Sequence, residues 1–251
     1  MLRKKINKID VEFYNSIEEM PHVRYMKFNK ELIRANEVGT GTIDLIKRVN
    51  RAIGYLKADQ HENAQKEMLN LKLNINYIEH EIDPKSFALA CVVKSIDGVL
   101  CDDITTDGLK VVIEKLQKAG ITKKDVDKNV DDIKKKIELE ISLFYSGEFS
   151  NESLSFNKAV IDKLNAQCEW ILDKDGATER WQKADNELLK LTSPSVWNML
   201  IKDNMDVRME KNFSEFMFMI AEHTNEDLTK ITTFRFYSLL ERIKEKNKHG
   251  R

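Results

Sequence analysis

Apolar residues recur in steps of three and four along most of the chain, the spacing that lines one face of an α-helix. Ile43, Ile46, Val49, Ile53 and Leu56 form one such stripe, and Thr42 before it is predicted to cap the helix. Ala64, Met68, Leu71, Ile75, Ile78 and Ile82 form a narrower seam that Pro84 terminates. Only a short joint near Asp59 and Gln60 separates the two. They are therefore predicted to pack as an antiparallel hairpin with the stripes in contact.

The same spacing predicts further helices. One covers residues 23–35. Another carries Leu109, Val112, Ile113 and Leu116, opened by Asp107-Gly108 and closed by Gly120. A third starts at Thr122, with Asp125 completing a capping box. It carries Val126, Val130, Ile133, Ile137, Ile141 and Phe144 and ends at Gly147. Ile161, Leu164, Cys168 and Ile171 give the next helix, and residues 178–191 resume the pattern after a break at 173–176. Ser193-Pro194 reads as a helix start with Val196, Trp197, Leu200 and Ile201 inside. Residues 227–246 form the last helix, around Leu228, Ile231, Phe234, Leu239, Leu240 and Ile243.

Period-two alternation is rare. Ile9, Val11 and Phe13 alternate with Asp10 and Glu12, which predicts a strand with one buried face. Residues 87–94 read as a second short apolar element, and Asp97-Gly98 in residues 95–100 is a hairpin turn. Nine glycines and three prolines in 251 residues are too few for a turn-rich β-sandwich or barrel. The predicted fold is mainly α, a multi-helix bundle of antiparallel helices with at most a β-hairpin or a two- to three-stranded element. The small, polar residues of 146–155 divide it into an N-terminal helical subdomain with the β element, 1–147, and a C-terminal helical subdomain, 148–251.

Charge narrows the function classes. Basic and acidic residues nearly cancel, 41 against 42, which disfavours a bulk nucleic-acid binder. No uninterrupted apolar run of membrane-spanning length occurs, and the N-terminal residues lack the apolar core of a signal peptide. Cys91, Cys101 and Cys168 are odd in number and widely spaced, which suits reduced thiols, with Cys168 a small buried hydrophobe of its helix stripe.

Catalytic motifs are absent. The five histidines form neither an HExxH pattern nor a zinc spacing with the cysteines. Gly39-Thr40-Gly41-Thr42 lacks the phosphate-loop pattern and reads as an inter-helix loop. Asp97, Asp102, Asp103 and Asp107 are the residue types of a two-metal site, but they sit where turn chemistry alone calls for aspartate. The expectation is a protein without catalytic centre, cofactor or small-molecule substrate. Lys134, Lys135 and Lys136 read as a solvated helix face. Any nucleic-acid contact is left to the basic termini, Arg3, Lys4, Lys5 and Lys8 at one end and Lys244, Lys246, Lys248 and Arg251 at the other.

Phe213, Phe216, Met217, Phe218 and Met219 stand out as the candidate site. Four of the five are consecutive, so they point around most of a helix circumference, more than one core face can hold. Part of this block is expected to meet another subunit.

Several passages resemble known sequences. Ile17-Glu18-Glu19-Met20-Pro21-His22 through Phe28-Asn29-Lys30, the later Arg51-Ala52-Ile53 and Tyr55-Leu56-Lys57, and Lys94-Ser95-Ile96-Asp97-Gly98 are similar to structural-module proteins of tailed bacteriophages, those of the crAss-like type infecting intestinal Bacteroides. The C-terminal Leu228-Thr229-Lys230-Ile231-Thr232-Thr233-Phe234-Arg235-Phe236-Tyr237-Ser238-Leu239-Leu240 resembles the endings of phage tail-assembly proteins. The resemblance covers about half the chain. It implies a virion protein of the tail or neck, a homo-oligomeric ring or connector touching portal or tail proteins, made in the host cytoplasm. A tail-assembly chaperone that binds a hydrophobic client and stays out of the particle is the alternative.

Overall fold

The computed structural model describes residues 2–6, 9–80, 83–145, 151–191, 193–197 and 204–249. Its contacts divide the chain into two units that interleave along the sequence. The first comprises Met1–Thr40, Tyr77–Ser146 and Met205–Arg251, the second Gly41–Asn76 and Gly147–Asn204. The division at 147 read from the sequence coincides with one junction, but residues 41–76 and 205–251 change sides.

The first unit carries a four-stranded antiparallel sheet in the order β1 (Leu2–Ile6), β2 (Ile9–Phe13), β3 (Val93–Ile96), β4 (Val99–Leu100). Val11 and Phe13, on the inner face of β2, are fully buried. Asp97 and Gly98 both take positive φ, 50° and 77°, the two-residue turn that matches strand twist. The mainly α class holds. The sheet gains one strand over the predicted maximum, the lysine-bearing edge strand β1.

Around the sheet lie α1 (His22–Val38), α4 (Pro84–Val92), α5 (Thr106–Lys118) and α6 (Lys123–Phe144). Residues 87–92, read from the sequence as part of the β element, are helical. Asp83 caps α4 by accepting the Ser86 N–H at 2.9 Å, and Pro84 occupies its first turn. A short run that is apolar all round carries no period, so only the cap reveals the helix. The stripe of α5 is buried as predicted, and so is that of α6 from Val126 to Ile137; Ile141 is partly buried, and Phe144, predicted inside, is 54% exposed at the helix end, while the Thr122–Asp125 capping box is formed. Arg24 ties α1 to the sheet by donating to the carbonyls of Cys91, Val93 and Cys101.

The C-terminal part of this unit is α9 (Met205–Ala221) and α10 (Thr233–His249). Ile220, Ile231, Phe236, Leu239 and Ile243 make its small core. The last helix begins at Thr233 rather than at 227. Asp227 instead accepts from the Thr229 N–H and hydroxyl and holds a turn. The Thr233 N–H and hydroxyl both donate to the Met20 carbonyl, and the His22 N–H donates to Ile231 O, so the two ends of the sequence are stitched together.

The second unit contains α2 (Thr42–Lys57), most of α3 (His61–His80), α7 (Asn151–Ile171) and α8 (Ala177–Leu191). Thr42 is the first helical residue of α2, not its cap; Gly41 occupies that position. Asp173 and Gly176, both at positive φ, turn α7 back into α8. Trp170 then stacks on Trp181, with ring centroids 5.4 Å apart. Residues 193–197 are not helical: Asn70 clamps the segment by donating to Ser195 O at 2.7 Å and accepting the Trp197 N–H at 3.3 Å. Leu200 and Ile201, predicted to continue a helix there, lie outside the described residues, as do Ile82 and Gly147.

Candidate assembly interface

Helix polarity differs between the two units. In the first, the apolar stripes of α5 and α6 face the core. In the second, α2 is inverted: Arg48, Ala52 and Tyr55 are buried, whereas Ile43, Ile46, Val49, Ile53 and Leu56 are 36–71% exposed. In α3 the buried face is Ala64, Glu67, Asn70 and Asn74, and Met68, Ile75 and Ile78 are exposed. The two helices meet through these polar faces. Arg48 Nη1 lies 2.6 Å from Glu67 Oε2 and Arg51 Nη1 3.3 Å from Glu67 Oε1. Tyr55, Ala64 and Leu189 add a small apolar contact. The predicted packing of stripe against stripe is thus corrected. A three-four repeat identifies a face that seeks a partner but not whether that partner belongs to the same chain.

Arg48 and Glu67 are almost completely enclosed, at 2% and 0% exposure. Burial lowers the Arg48 pKa, and the Glu67 carboxylate opposes that shift. Neither amide atom of Asn74 has a hydrogen-bond partner.

The third exposed seam runs along α7. Ile161, Leu164 and Ile171 are 54–73% exposed. Cys168 lies on the same line and is exposed, which corrects its reading as a buried hydrophobe.

The five candidate residues of α9 divide as follows. Phe216 and Phe218 are exposed, Phe218 at 70%; Phe213, Met217 and Met219 are half-buried. Phe213 reaches inward to the His22 ring, 5.9 Å between centroids. Ile220, the next residue, is the fully buried anchor of the helix. Among the described residues the block is therefore not fully enclosed.

The other candidates have local partners. Asp97 Oδ1 accepts the Asp10 N–H at 2.8 Å, and Asp103 Oδ1 accepts the Thr105 N–H and hydroxyl at the start of α5. Those bonds with Thr105 hold the Asp103 carboxyl below its ordinary pKa. Asp107 lies in the first turn of α5, beside Lys110. Among the described residues no group of three or more His, Cys, Asp or Glu is placed to hold a metal ion. Thr40 O, in the Gly39-Thr42 loop, accepts from Lys123. Lys134 and Lys136 pair along α6 with Glu138 and Glu140. At the termini Arg3 pairs with Glu12, Lys4 donates to Asn129 and Lys244 pairs with Glu241; Lys8 and Arg251 lie outside the described residues. No helix among the described residues is long and apolar enough to cross a membrane.

His22 forms a site that the sequence reading did not single out. It is 1% exposed and stacks on Phe236 at 3.4 Å, with Tyr25, Phe213 and Tyr237 around it. Neither ring nitrogen has a hydrogen-bond partner, and burial pulls the pKa down to about 3. Burial also raises the Cys91 thiol to about 12, so this cysteine is held as a thiol.

Comparison with family models, curated proteins and solved structures finds no match.

Proposed function

We propose that this chain is a non-enzymatic structural subunit of a tailed-phage virion, part of a ring or connector in the tail or neck that assembles through contacts between copies. The observation that carries the assembly part is the inverted polarity of the second unit. α2, α3 and α7 each turn an apolar seam outward, and α2 and α3 cover polar residues with their inner faces. Exposed seams of this length are an aggregation liability on a free monomer and an ordinary feature of a subunit surface. Phe216 and Phe218 of α9 add a second exposed apolar patch in the first unit. The sequence resemblance supplies the phage context, and portal or tail proteins are the proposed neighbours.

Native mass spectrometry at tens of micromolar protein tests the assembly reading, with a closed oligomer as the expected result and a monomer as the result that overturns it. Mass spectrometry of purified virions separates a particle component from an assembly chaperone, which would be absent. Phe218→Ser is expected to shift the distribution toward smaller species. Its melting temperature should change by only about 1–2 °C, because a substitution at an exposed position alters folding stability by roughly 0.5 kcal/mol or less. A large fall in melting temperature with assembly unchanged would contradict an interface role for this residue.

A further inference from the structure

Asp206, Met209, Phe213, Phe216 and Ile220 follow one another at three, four, three and four residues, so they share one face of α9. Of the whole helix only Asp206 and Ile220 are buried, the two ends of this face. Ile220 sits in the small core with Ile231, Phe236, Leu239 and Ile243. Asp206 is held by charge instead. It pairs with Arg34 of α1, and Lys30 Nζ lies 3.3 Å from Asp206 Oδ1 and 3.0 Å from Glu210 Oε1. Arg34 also pairs with Glu31 of its own helix at 3.0 Å. Between these anchors α1 and α9 leave a cavity of about 200 Å³, whose apolar lining is Val23, Met26, Ile104, Met209 and Phe213. An apolar space of roughly 150 Å³ already holds a benzene ring, so the middle of α9 is incompletely packed. The residues that precede Met205 belong to the second unit, so within the first unit the N-terminal end of α9 continues into no further segment.

We infer that the N-terminal half of α9 is a latched arm. The pairing of Asp206 with Arg34 and Lys30 is the latch, Ile220 in the small core is the pivot, and the arm opens from α1 while the rest of the first unit stays folded. Segments with few buried apolar contacts open at lower free energy than the core does, and this one buries a single residue before its pivot. Opening leaves no cation stranded on α1, because Arg34 keeps Glu31 when Asp206 departs. It frees Met209 and Phe213, now half-buried, beside Phe216, which is already 50% exposed. The apolar strip of α9 is then longer than in the closed form. Opening is a property of the single chain and does not rest on the homo-oligomer reading.

Hydrogen exchange of the full chain, read by mass spectrometry, tests it. The amides of residues 209–216 report the arm, since the first four N–H groups of a helix lack partners within it. Those of residues 130–137, in the buried part of α6, report the core. Relative to intrinsic rates, the arm should exchange about tenfold faster than the core segment, or more. Asp206→Asn should speed exchange of the arm by about a further tenfold. Ile133→Val, a mild cavity in the core, should speed exchange of 130–137 by about fivefold. It should leave 209–216 within about twofold of the natural chain, because an arm that opens by itself does not break the core. Equal acceleration of both segments by Ile133→Val overturns a separately opening arm. Unchanged exchange of 209–216 in Asp206→Asn overturns the ion pairs as its latch.

Discussion

Glu67→Ala should destabilise the fold by about 3–5 kcal/mol, the usual cost of leaving one member of a buried ion pair without its partner. Glu67 is fully enclosed, and its carboxylate lies 2.6 Å from the buried Arg48 guanidinium. Removing it takes a carboxylate away from a guanidinium that is only 2% exposed. Arg51 differs, because its side chain is 42% exposed and solvates itself when the carboxylate is gone. Arg51→Ala should therefore cost about 1 kcal/mol or less. The double variant Arg48→Met, Glu67→Leu removes both charges and fills similar volume, so it should recover most of the loss or exceed the natural stability. Chemical denaturation of the three variants checks the order. If Glu67→Ala proves no worse than Arg51→Ala, the pair does not hold these helices together.

This pair also shows what the sequence conveyed and what it withheld. In the first unit the apolar stripes of α5 and, as far as Ile137, of α6 were legible and correctly placed. Val112, Ile113, Val130, Ile133 and Ile137 all lie in the core, and Thr122 and Asp125 cap their helix as their identities require. The Asp97-Gly98 hairpin was equally legible, since the turn needs two left-handed residues and that dipeptide supplies them. In the second unit the stripes were equally clear, yet among the described residues they are exposed. Arg48, Ala52 and Tyr55 form another line at helical spacing, as do Glu67, Asn70 and Asn74. These lines were the available signal for the inner faces, but hydrophobicity ranks them below the isoleucines. The buried Arg48–Glu67 pair decides between the two lines, and a ranking by hydrophobicity does not register it. Four consecutive aromatic and thioether side chains on α9 exceed any single helix face, so the exposure of Phe216 and Phe218 followed from sequence alone. The environment of His22 did not, because Phe213, Phe236 and Tyr237 lie roughly two hundred residues away along the chain.

His22 gives the second large effect, as a dependence of stability on pH. In the unfolded chain an ordinary histidine takes up a proton near 6.5, whereas in the fold His22 does so only at about 3. Between those values unfolding binds a proton, so stability falls as the pH is lowered. The contribution is fully present above pH 6.5 and is lost progressively from there down to about 3. Across the part of this window from pH 7 to pH 5 the loss should be about 2 kcal/mol, at 1.36 kcal/mol for each unit traversed below 6.5. Other groups bear on the slope. Glu12, Asp103, Asp125, Glu226 and Asp227 are held below their ordinary values by hydrogen bonds and ion pairs, and they add a loss of the same sign that sets in only below about pH 4.5, where unfolded carboxylates begin to protonate. Glu31, raised by burial, works in the opposite direction. His22→Phe leaves all of these in place and keeps an aromatic ring on Phe236, so the difference between variant and natural protein isolates the imidazole. The variant should also be at least as stable at pH 7, since it removes two buried nitrogens that lack partners. Urea denaturation at pH 7, 6 and 5 decides the matter. The natural chain should weaken along that series and His22→Phe should change by less than about 0.5 kcal/mol; parallel losses in both proteins would show that His22 is not the group that titrates.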